Sequence, residues 1–88
     1  MVKRDSNQKE IVRALKEIGC SVTDLSMVGS GCPDLCVGRN RQTFLLEIKT
    51  ATGKVKPNQV NFATEWKGHP VVVVRSVNEA LKAVGVKT

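Results

Sequence analysis

The sequence predicts an α/β domain, a mixed β-sheet flanked by helices, with its elements in the order α-β-β-β-α-β-α. Three patterns indicate this class: apolar residues at helical spacing near the N-terminus, two strand-like segments joined by a polar turn, and a run of four valines. The 88 residues are enough for one small domain, which we expect over 1–88. No apolar run approaches the ~20 residues needed to cross a membrane, and the charged N-terminus does not resemble a signal peptide. We therefore expect a cytoplasmic protein.

The N-terminal segment predicts a helix followed by a strand. Asp5 or Ser6 can cap the helix, and Gly19 ends it. The residues at helical spacing are Ile11, Val12, Leu15 and Ile18. The mixed stretch 20–28 is predicted as one strand, followed by a Gly-Ser-Gly loop.

A β-hairpin is predicted next, with strands at about 34–38 and 43–50. The intervening 39–42 contains Asn40, which tolerates the positive φ of a tight turn. If the turn is centred on residues 40 and 41, Asp34 faces Glu47 across the hairpin, with Cβ atoms about 4.5–5.5 Å apart. Strand alternation also puts Glu47 and Lys49 on one face. Two facing carboxylates repel unless a proton or a cation intervenes, and their oxygens suit Mg²⁺ or Mn²⁺.

The C-terminal half predicts a helix, a strand and a second helix. Pro57 suits the first position of a helix that runs to about Lys67, with Trp66 anchoring its end in the core. The valine run 71–74 predicts a strand covered on both faces and central in the sheet. Ser76-x-x-Glu79 is a capping box that opens the last helix.

The charge balance indicates a polyanionic partner. Fourteen Lys and Arg against eight Asp and Glu give a net charge of +6, with the basic residues spread along the chain. The three aromatic residues are best explained as core, so we expect contacts to phosphates and weak sequence preference. The candidate DNA contacts are Lys54, Lys56, Arg39, Arg41, Lys9, Arg13 and Lys16.

The motifs Gly31-Cys32-Pro33-Asp34 and Glu47-Ile48-Lys49, at a hairpin-length separation, resemble the PD-(D/E)xK nuclease superfamily. The order of motifs, including a helix with Gln59 and the strand 70–76, is most similar to its virus-type replication-repair nuclease (VRR-NUC) family over nearly the whole chain. This resemblance implies a restriction-endonuclease-like core and a metal-dependent endonuclease that hydrolyses phosphodiester bonds in DNA.

The resemblance also implies residue roles. Asp34, Glu47 and the backbone carbonyl of Ile48 would hold Mg²⁺ or Mn²⁺, and Lys49 would position or help to activate the attacking water. Gln59 would orient Lys49, a water or a phosphate, although it could be a core amide bonded to backbone.

Glu10 is a further candidate on the first helix. It would complete the metal site through water, with an exposed residue paired to Arg13 or Lys9 as the alternative of nearly equal weight.

Small stand-alone members of the family are commonly virus-encoded and resemble homodimeric enzymes that resolve four-way (Holliday) junctions, which implies the same activity here. A two-fold dimer matches such a symmetric junction. Val84, Val86 or the exposed side of the last helix could supply the interface. The alternatives are a non-catalytic DNA-binding module with a nuclease fold, and the nuclease subunit of a larger repair or restriction assembly acting on flaps or duplex.

Overall fold

The computed structural model describes residues 7–87, and the elements follow the predicted order. The helices are α1 (Gln8–Glu17), α2 (Pro57–Glu65) and α3 (Val77–Ala83). The strands are β1 (Ser21–Asp24), β2 (Leu35–Arg39), β3 (Gln42–Ile48) and β4 (Val72–Val74). None of the described helices is long and apolar enough to traverse a lipid bilayer.

The four strands form one mixed sheet in the spatial order β1-β2-β3-β4. The first three are antiparallel neighbours, whereas β4 runs parallel to β3. A parallel pair requires a crossover connection, and α2 lies within it. The sheet is therefore mixed, as predicted.

The β2–β3 hairpin has the predicted register. Asn40 and Arg41 both have positive φ, 51° and 64°, as a two-residue turn of type I′ requires. Leu35 consequently pairs with Leu46, which places Asp34, the residue before β2, beside Glu47. The predicted facing of the two carboxylates is confirmed by this register.

One face of the sheet carries the apolar core, which α1 and α3 cover. From α1, Ile11 and Leu15 are fully buried. Ser76 caps α3, since its Oγ accepts from the N–H of Glu79 at 3.1 Å, but the Glu79 carboxylate accepts from the N–H of Arg75, so the second bond of the predicted capping box is not formed. The core side chains contributed by the sheet are Leu35, Val37, Phe44, Leu46, Ile48 and Val74. Burial of roughly ten apolar side chains at about 1.5–3 kcal/mol each is the main favourable contribution to the folding of this domain.

Two strand predictions are wrong. β4 lies at the edge of the sheet rather than in its centre, and Val73 is 37 % exposed on the face away from α1 and α3. A β-branched run favours a strand, but it does not determine the neighbours of that strand. β1 covers Ser21–Asp24 and not the whole stretch 20–28, because the chain turns at Leu25, whose carbonyl accepts from the N–H of Val28.

The helix ends differ from prediction in two places. The N-cap of α1 is Asn7, while Asp5 and Ser6 lie outside the described residues. α2 ends at Glu65, before Lys67. Trp66 does not anchor that end in the core, because it is 46 % exposed and stacks on Phe62 at a ring separation of 5.4 Å.

The predicted dimer residue Val84 is 1 % exposed and packs in the core, so it cannot form an interface in the folded chain. Val86 is partly buried against the same core. The reason is that α3 closes the sheet face that α1 also covers, and the end of the chain packs back on this layer.

Candidate active site

The ends of β2 and β3 bring two carboxylates and one ammonium together. Asp34 Oδ2 accepts a 2.8 Å hydrogen bond from the backbone N–H of Ile48, which fixes the Asp34 side chain against β3. Glu47 projects from β3 toward the α2 side of the sheet and is 3 % exposed. Lys49, two residues further on, places its Nζ 3.6 Å from Glu47 Oε2. The structure thus joins the three residues that the sequence singled out.

Gln59 reaches the same carboxylate from α2. Its Nε2 donates to Glu47 Oε2 at 3.0 Å, and its Oε1 accepts from the backbone N–H of Lys56 at 2.8 Å. The second bond is half of a capping box, because Gln59 is the third residue of a helix that begins at Pro57. The amide oxygen is thereby engaged with the helix start, and the NH₂ group faces the site. Gln59 therefore contacts Glu47 rather than Lys49. It also accepts a hydrogen bond from the backbone, as the alternative interpretation of a backbone-bonded amide expected.

The electrostatics of the pair centre on Glu47. The pKa of its carboxyl is raised from 4.5 to about 8, first by burial and then by the hydrogen bond and negative charge of Asp34, while Lys49 opposes the shift. Near neutral pH a carboxyl in this position holds a proton unless a cation replaces it. Burial also raises the pKa of the nearby Cys32 thiol, with contributions from Glu47 and Asp34.

Gly31 allows α2 to approach the site. Its φ is +80°, and a Cβ at this position would lie 2.2 Å from the backbone oxygen of Asn58 in α2. Only glycine therefore fits both the backbone conformation and the close contact. Between α2 and the sheet runs an apolar groove of about 270 Å³, with Val60 and Val73 on its walls and Glu47 and Gln59 at its polar end.

Several residues at this end of the sheet were missed from the sequence. Gln8 is 5 % exposed and donates to Asp24 Oδ2 at 3.2 Å, and Asp24 Oδ1 accepts from the N–H of Ser26. The N–H of Leu25 donates to the backbone oxygen of Asp34 at 2.7 Å, which ties this turn to the site. These hydrogen bonds join segments that are far apart in the chain, so no short sequence motif predicts them.

Glu10 is not brought to the carboxylate pair. It is exposed on α1, and within residues 7–87 no group of three or more His, Cys, Asp or Glu side chains is placed to hold a metal ion. Among residues 7–87, Asp34 and Glu47 are the carboxylates that the structure brings together at this end of the sheet.

The candidate DNA contacts lie in three regions. Lys54, Lys56 and Lys9 are exposed on segments that adjoin the end of the sheet with Asp34 and Glu47. The hairpin turn is at the opposite end, about 15–20 Å away for strands of this length, and it carries the exposed Arg41. Arg39 near this turn is partly buried and donates to the backbone oxygen of Val84 at 3.0 Å, so it has a structural contact. Arg13 and Lys16 are exposed further along α1.

The comparison with known families agrees with this geometry. Residues 2–87 match the family described as archaeal Holliday junction resolvase (Hjc). The chain belongs to this family. The Hjc family is a PD-(D/E)xK nuclease family of metal-dependent, structure-selective endonucleases that resolve Holliday junctions. No curated protein matches the sequence.

Membership of the Hjc family confirms the superfamily, the enzyme class and the branched DNA substrate that the motifs implied. The match also agrees with the mixed four-stranded sheet flanked by helices. The family that the match shows is Hjc, whereas the motif order in the sequence was most similar to VRR-NUC within the same superfamily.

Proposed function

We propose that this Hjc-family chain cuts four-way DNA junctions as a homodimer, with Asp34, Glu47 and Lys49 as its catalytic residues. The observation that carries this assignment is the environment of Glu47, a buried carboxylate contacted by the amide of Gln59 and the ammonium of Lys49 and facing Asp34. A buried carboxylate that gains a charge partner and a second carboxyl at once is typical of a functional site.

The residues present fit a hard divalent cation, Mg²⁺ or Mn²⁺. Asp34 and Glu47 would hold it through carboxylate oxygens, and the backbone oxygen of Ile48 is a suitable third ligand. A strand residue directs its N–H and C=O to the same side, and the N–H of Ile48 already donates to Asp34, so its carbonyl lies on that side as well. When bound, the cation would lower the pKa of a water and stabilise charge on the phosphodiester.

The chain's own residues then have separate roles. Lys49 places a buried ammonium where it can hold the attacking water or a phosphate oxygen, and its charge favours the negative transition state. Gln59 holds Glu47 in one orientation, since its own amide is fixed by the N–H of Lys56. Asp34 is held in turn by the N–H of Ile48. Asp34, Glu47 and Gln59 are thereby held in position before the substrate binds.

Phosphate contacts would supply most of the affinity for the junction. Lys54 and Lys56 follow the catalytic strand directly and are exposed, so we place them nearest the cut strand. The exposed Arg41, at the far end of the sheet, would contact an arm of the junction away from the cut. Contacts of this kind do not read bases, and binding should weaken steeply with salt.

A second copy of the chain would complete the enzyme. A four-way junction is two-fold symmetric and needs two incisions, and an isologous dimer presents two equivalent sites. On a chain of net charge +6, two copies meet most easily on a charge-poor surface. The surface of α2 and β4, which includes the exposed Val60, Trp66 and Val73, has this character.

The function is tested by incubating the wild type with a labelled four-way junction in Mg²⁺, Mn²⁺ or EDTA, beside linear duplex, single-strand and flap DNA. We expect paired symmetric cuts in the junction that EDTA and Glu47→Gln abolish. Glu17→Gln, which neutralises an exposed carboxylate at the end of α1, is the matched control and should cut normally. Cleavage by Glu47→Gln at the wild-type rate would remove Glu47 from the mechanism.

The dimer is tested by sedimentation of Trp66→Glu beside Ile18→Glu. Both place a carboxylate at an exposed apolar position, but Ile18 lies at the end of α1, which covers the other face of the sheet. We expect only Trp66→Glu to sediment as a monomer. A wild type that is monomeric at high concentration would count against the dimer.

Three finer expectations accompany this proposal. We place the chain close to the VRR-NUC proteins within the superfamily, on the strength of its Gly31-x-Pro33-Asp34 motif. We also propose that residues 1–88 form one nuclease domain and that it acts in the cytoplasm of the host of a virus.

A further inference from the structure

The backbone that follows the catalytic strand is held by side chains from two other elements. The N–H of Lys49 donates to the backbone oxygen of Val74 at 3.0 Å. Its carbonyl accepts from Asn7 Nδ2 at 3.1 Å, and the same Nδ2 donates to the carbonyl of Arg75 at 3.1 Å. The ends of the parallel strands β3 and β4 are thus joined by the residue that precedes α1.

Arg75 then binds the turn that comes after Lys49. Its Nη1 donates to the carbonyl of Thr50 and to the carbonyl of Gly53, each at 2.7 Å. The N–H of Gly53 also donates to the carbonyl of Thr50 at 3.2 Å, so both acceptors belong to one tight turn. Bonds from a charged donor are among the stronger hydrogen bonds in proteins.

We infer that Arg75 is a positioning residue: it clamps the Thr50–Gly53 turn and thereby holds the catalytic Lys49 in place. The catalytic role of Lys49 in this inference rests on the proposed function. The arginine would otherwise be counted among the phosphate-binding cations, but its guanidinium is partly buried and engaged with two carbonyls of the chain.

An arginine suits this position because of its geometry. The two hydrogens of Nη1 lie in the guanidinium plane and diverge, so that one nitrogen can serve two carbonyls at once. The backbone N–H of Arg75 donates to Glu79 Oε1 at 2.8 Å, which fixes the start of the side chain at the N-terminus of α3. Position and direction of the guanidinium are therefore both determined by the fold.

The test compares wild type with Arg75→Met, Arg75→Lys and Lys87→Met. Lys87→Met removes one positive charge from an exposed residue outside the site and is the charge-matched control. Single-turnover cleavage of the junction, junction affinity without divalent cation at several KCl concentrations, and amide exchange at Lys49 and Gly53 are measured for each.

We expect Arg75→Met to cut about 10- to 100-fold more slowly at saturating protein, because small displacements of a reacting group have effects of this size. The junction Kd of Arg75→Met should stay within about threefold of the Kd of Lys87→Met, because each variant loses one positive charge and therefore at most one phosphate contact. Exchange at Gly53 should become faster. Arg75→Lys keeps the charge but has a shorter reach and no planar guanidinium, so it should lose part of the cleavage rate. Millimolar guanidinium, compared with KCl at the same concentration, should restore part of the cleavage rate of Arg75→Met.

Two results would overturn the inference. One is a parallel loss of rate and affinity with a salt slope reduced by about one, which is the behaviour of a phosphate contact. The other is unchanged exchange at Lys49 and Gly53 in a folded variant. If Arg75→Met does not fold, the rate and exchange of Arg75→Lys decide in the same way. If the wild type cuts no junction, the proposed function fails, whereas the exchange data still decide whether the clamp exists.

Discussion

The two faces of the sheet have opposite properties. On one, α1 and α3 enclose a core in which Ile11, Leu15 and Leu46 are fully buried. On the other, α2 has no buried residue and stands over an open apolar groove. The first face supplies the stability of the fold. The second holds the buried charges of Glu47 and Lys49, which cost stability and supply chemistry.

This difference teaches that function here depends on a few polar contacts across a loosely covered face. α2 is held over the sheet by Gln59 and by its close approach to Gly31 rather than by apolar packing. Variants on the two faces should therefore separate stability from activity, and the following predictions run from the largest expected effect to the smallest.

Asp34→Asn should reduce junction cleavage by at least about a thousandfold, because it removes a charged ligand and weakens metal binding. Without metal, and above about pH 8 where Glu47 is ionised, it should be no less stable than the wild type, since the substitution relieves the repulsion between the two carboxylates. Cleavage rates and urea unfolding in EDTA measure the two effects. A strongly destabilised variant would mean that the carboxylate pair supports the fold.

Leu15→Ala should lower the free energy of unfolding by about 2–5 kcal/mol, as expected for a fully buried leucine. Val60→Ala, on the exposed wall of the groove, should change it by less than about 1 kcal/mol in the monomer. Urea denaturation at equal protein concentration compares them. Equal losses would contradict the contrast between the faces.

Gly31→Ala should slow cleavage by roughly 10- to 100-fold, because a Cβ would collide with α2 and pull Gln59 from Glu47. Gly29→Ala is the matched control, since Gly29 also has positive φ but has open space around its Cβ position. Both should lose about 1 kcal/mol of stability from backbone strain, and Gly31→Ala should lose more because its Cβ meets the backbone of α2. Equal cleavage by the two variants would show that the approach of α2 is unimportant for catalysis.

The stability of the metal-free protein should fall as pH rises from about 4.5 to about 8 and then level off. In this window the folded state holds a proton on Glu47 that the unfolded state has released, so the folded state is favoured at the lower pH. Glu47→Gln should remove this part of the slope, by roughly 1–3 kcal/mol between the two limits. Urea unfolding in EDTA at pH 5 and pH 8 compares the proteins, and a slope that the variant retains would assign it to other groups.

Much of the site could be predicted because its information is local. A two-residue turn at Asn40 and Arg41 sets the hairpin register, and strand alternation then puts Glu47 and Lys49 on one face. Gln59 was also identified from the sequence, through the order of motifs that resembles a nuclease family.

The errors arose where the answer depends on other parts of the chain. Four valines predict a strand but not its place, so β4 was put in the centre although it is an edge. Trp66 is apolar and was expected in the core, but it stacks on Phe62 and remains about half exposed to solvent. Val84 was expected at a dimer interface, but it is buried in the core that α3 covers. Asn7 donates to a carbonyl 42 positions away, and Arg75 donates to carbonyls 25 and 22 positions away. Contacts over such separations cannot be predicted from a local sequence pattern.

The start of α2 sets a limit on changes in chain length. Gln59 meets Glu47 only because it is the third residue of a helix that begins at Pro57, and one inserted residue in the helix would turn the amide by about 100°. The turn before it is fixed at its other end by Arg75. The Asn40–Arg41 turn sets a second limit of this kind, because an added residue there would shift the register of β2 on β3 and move Asp34 from its place beside Glu47.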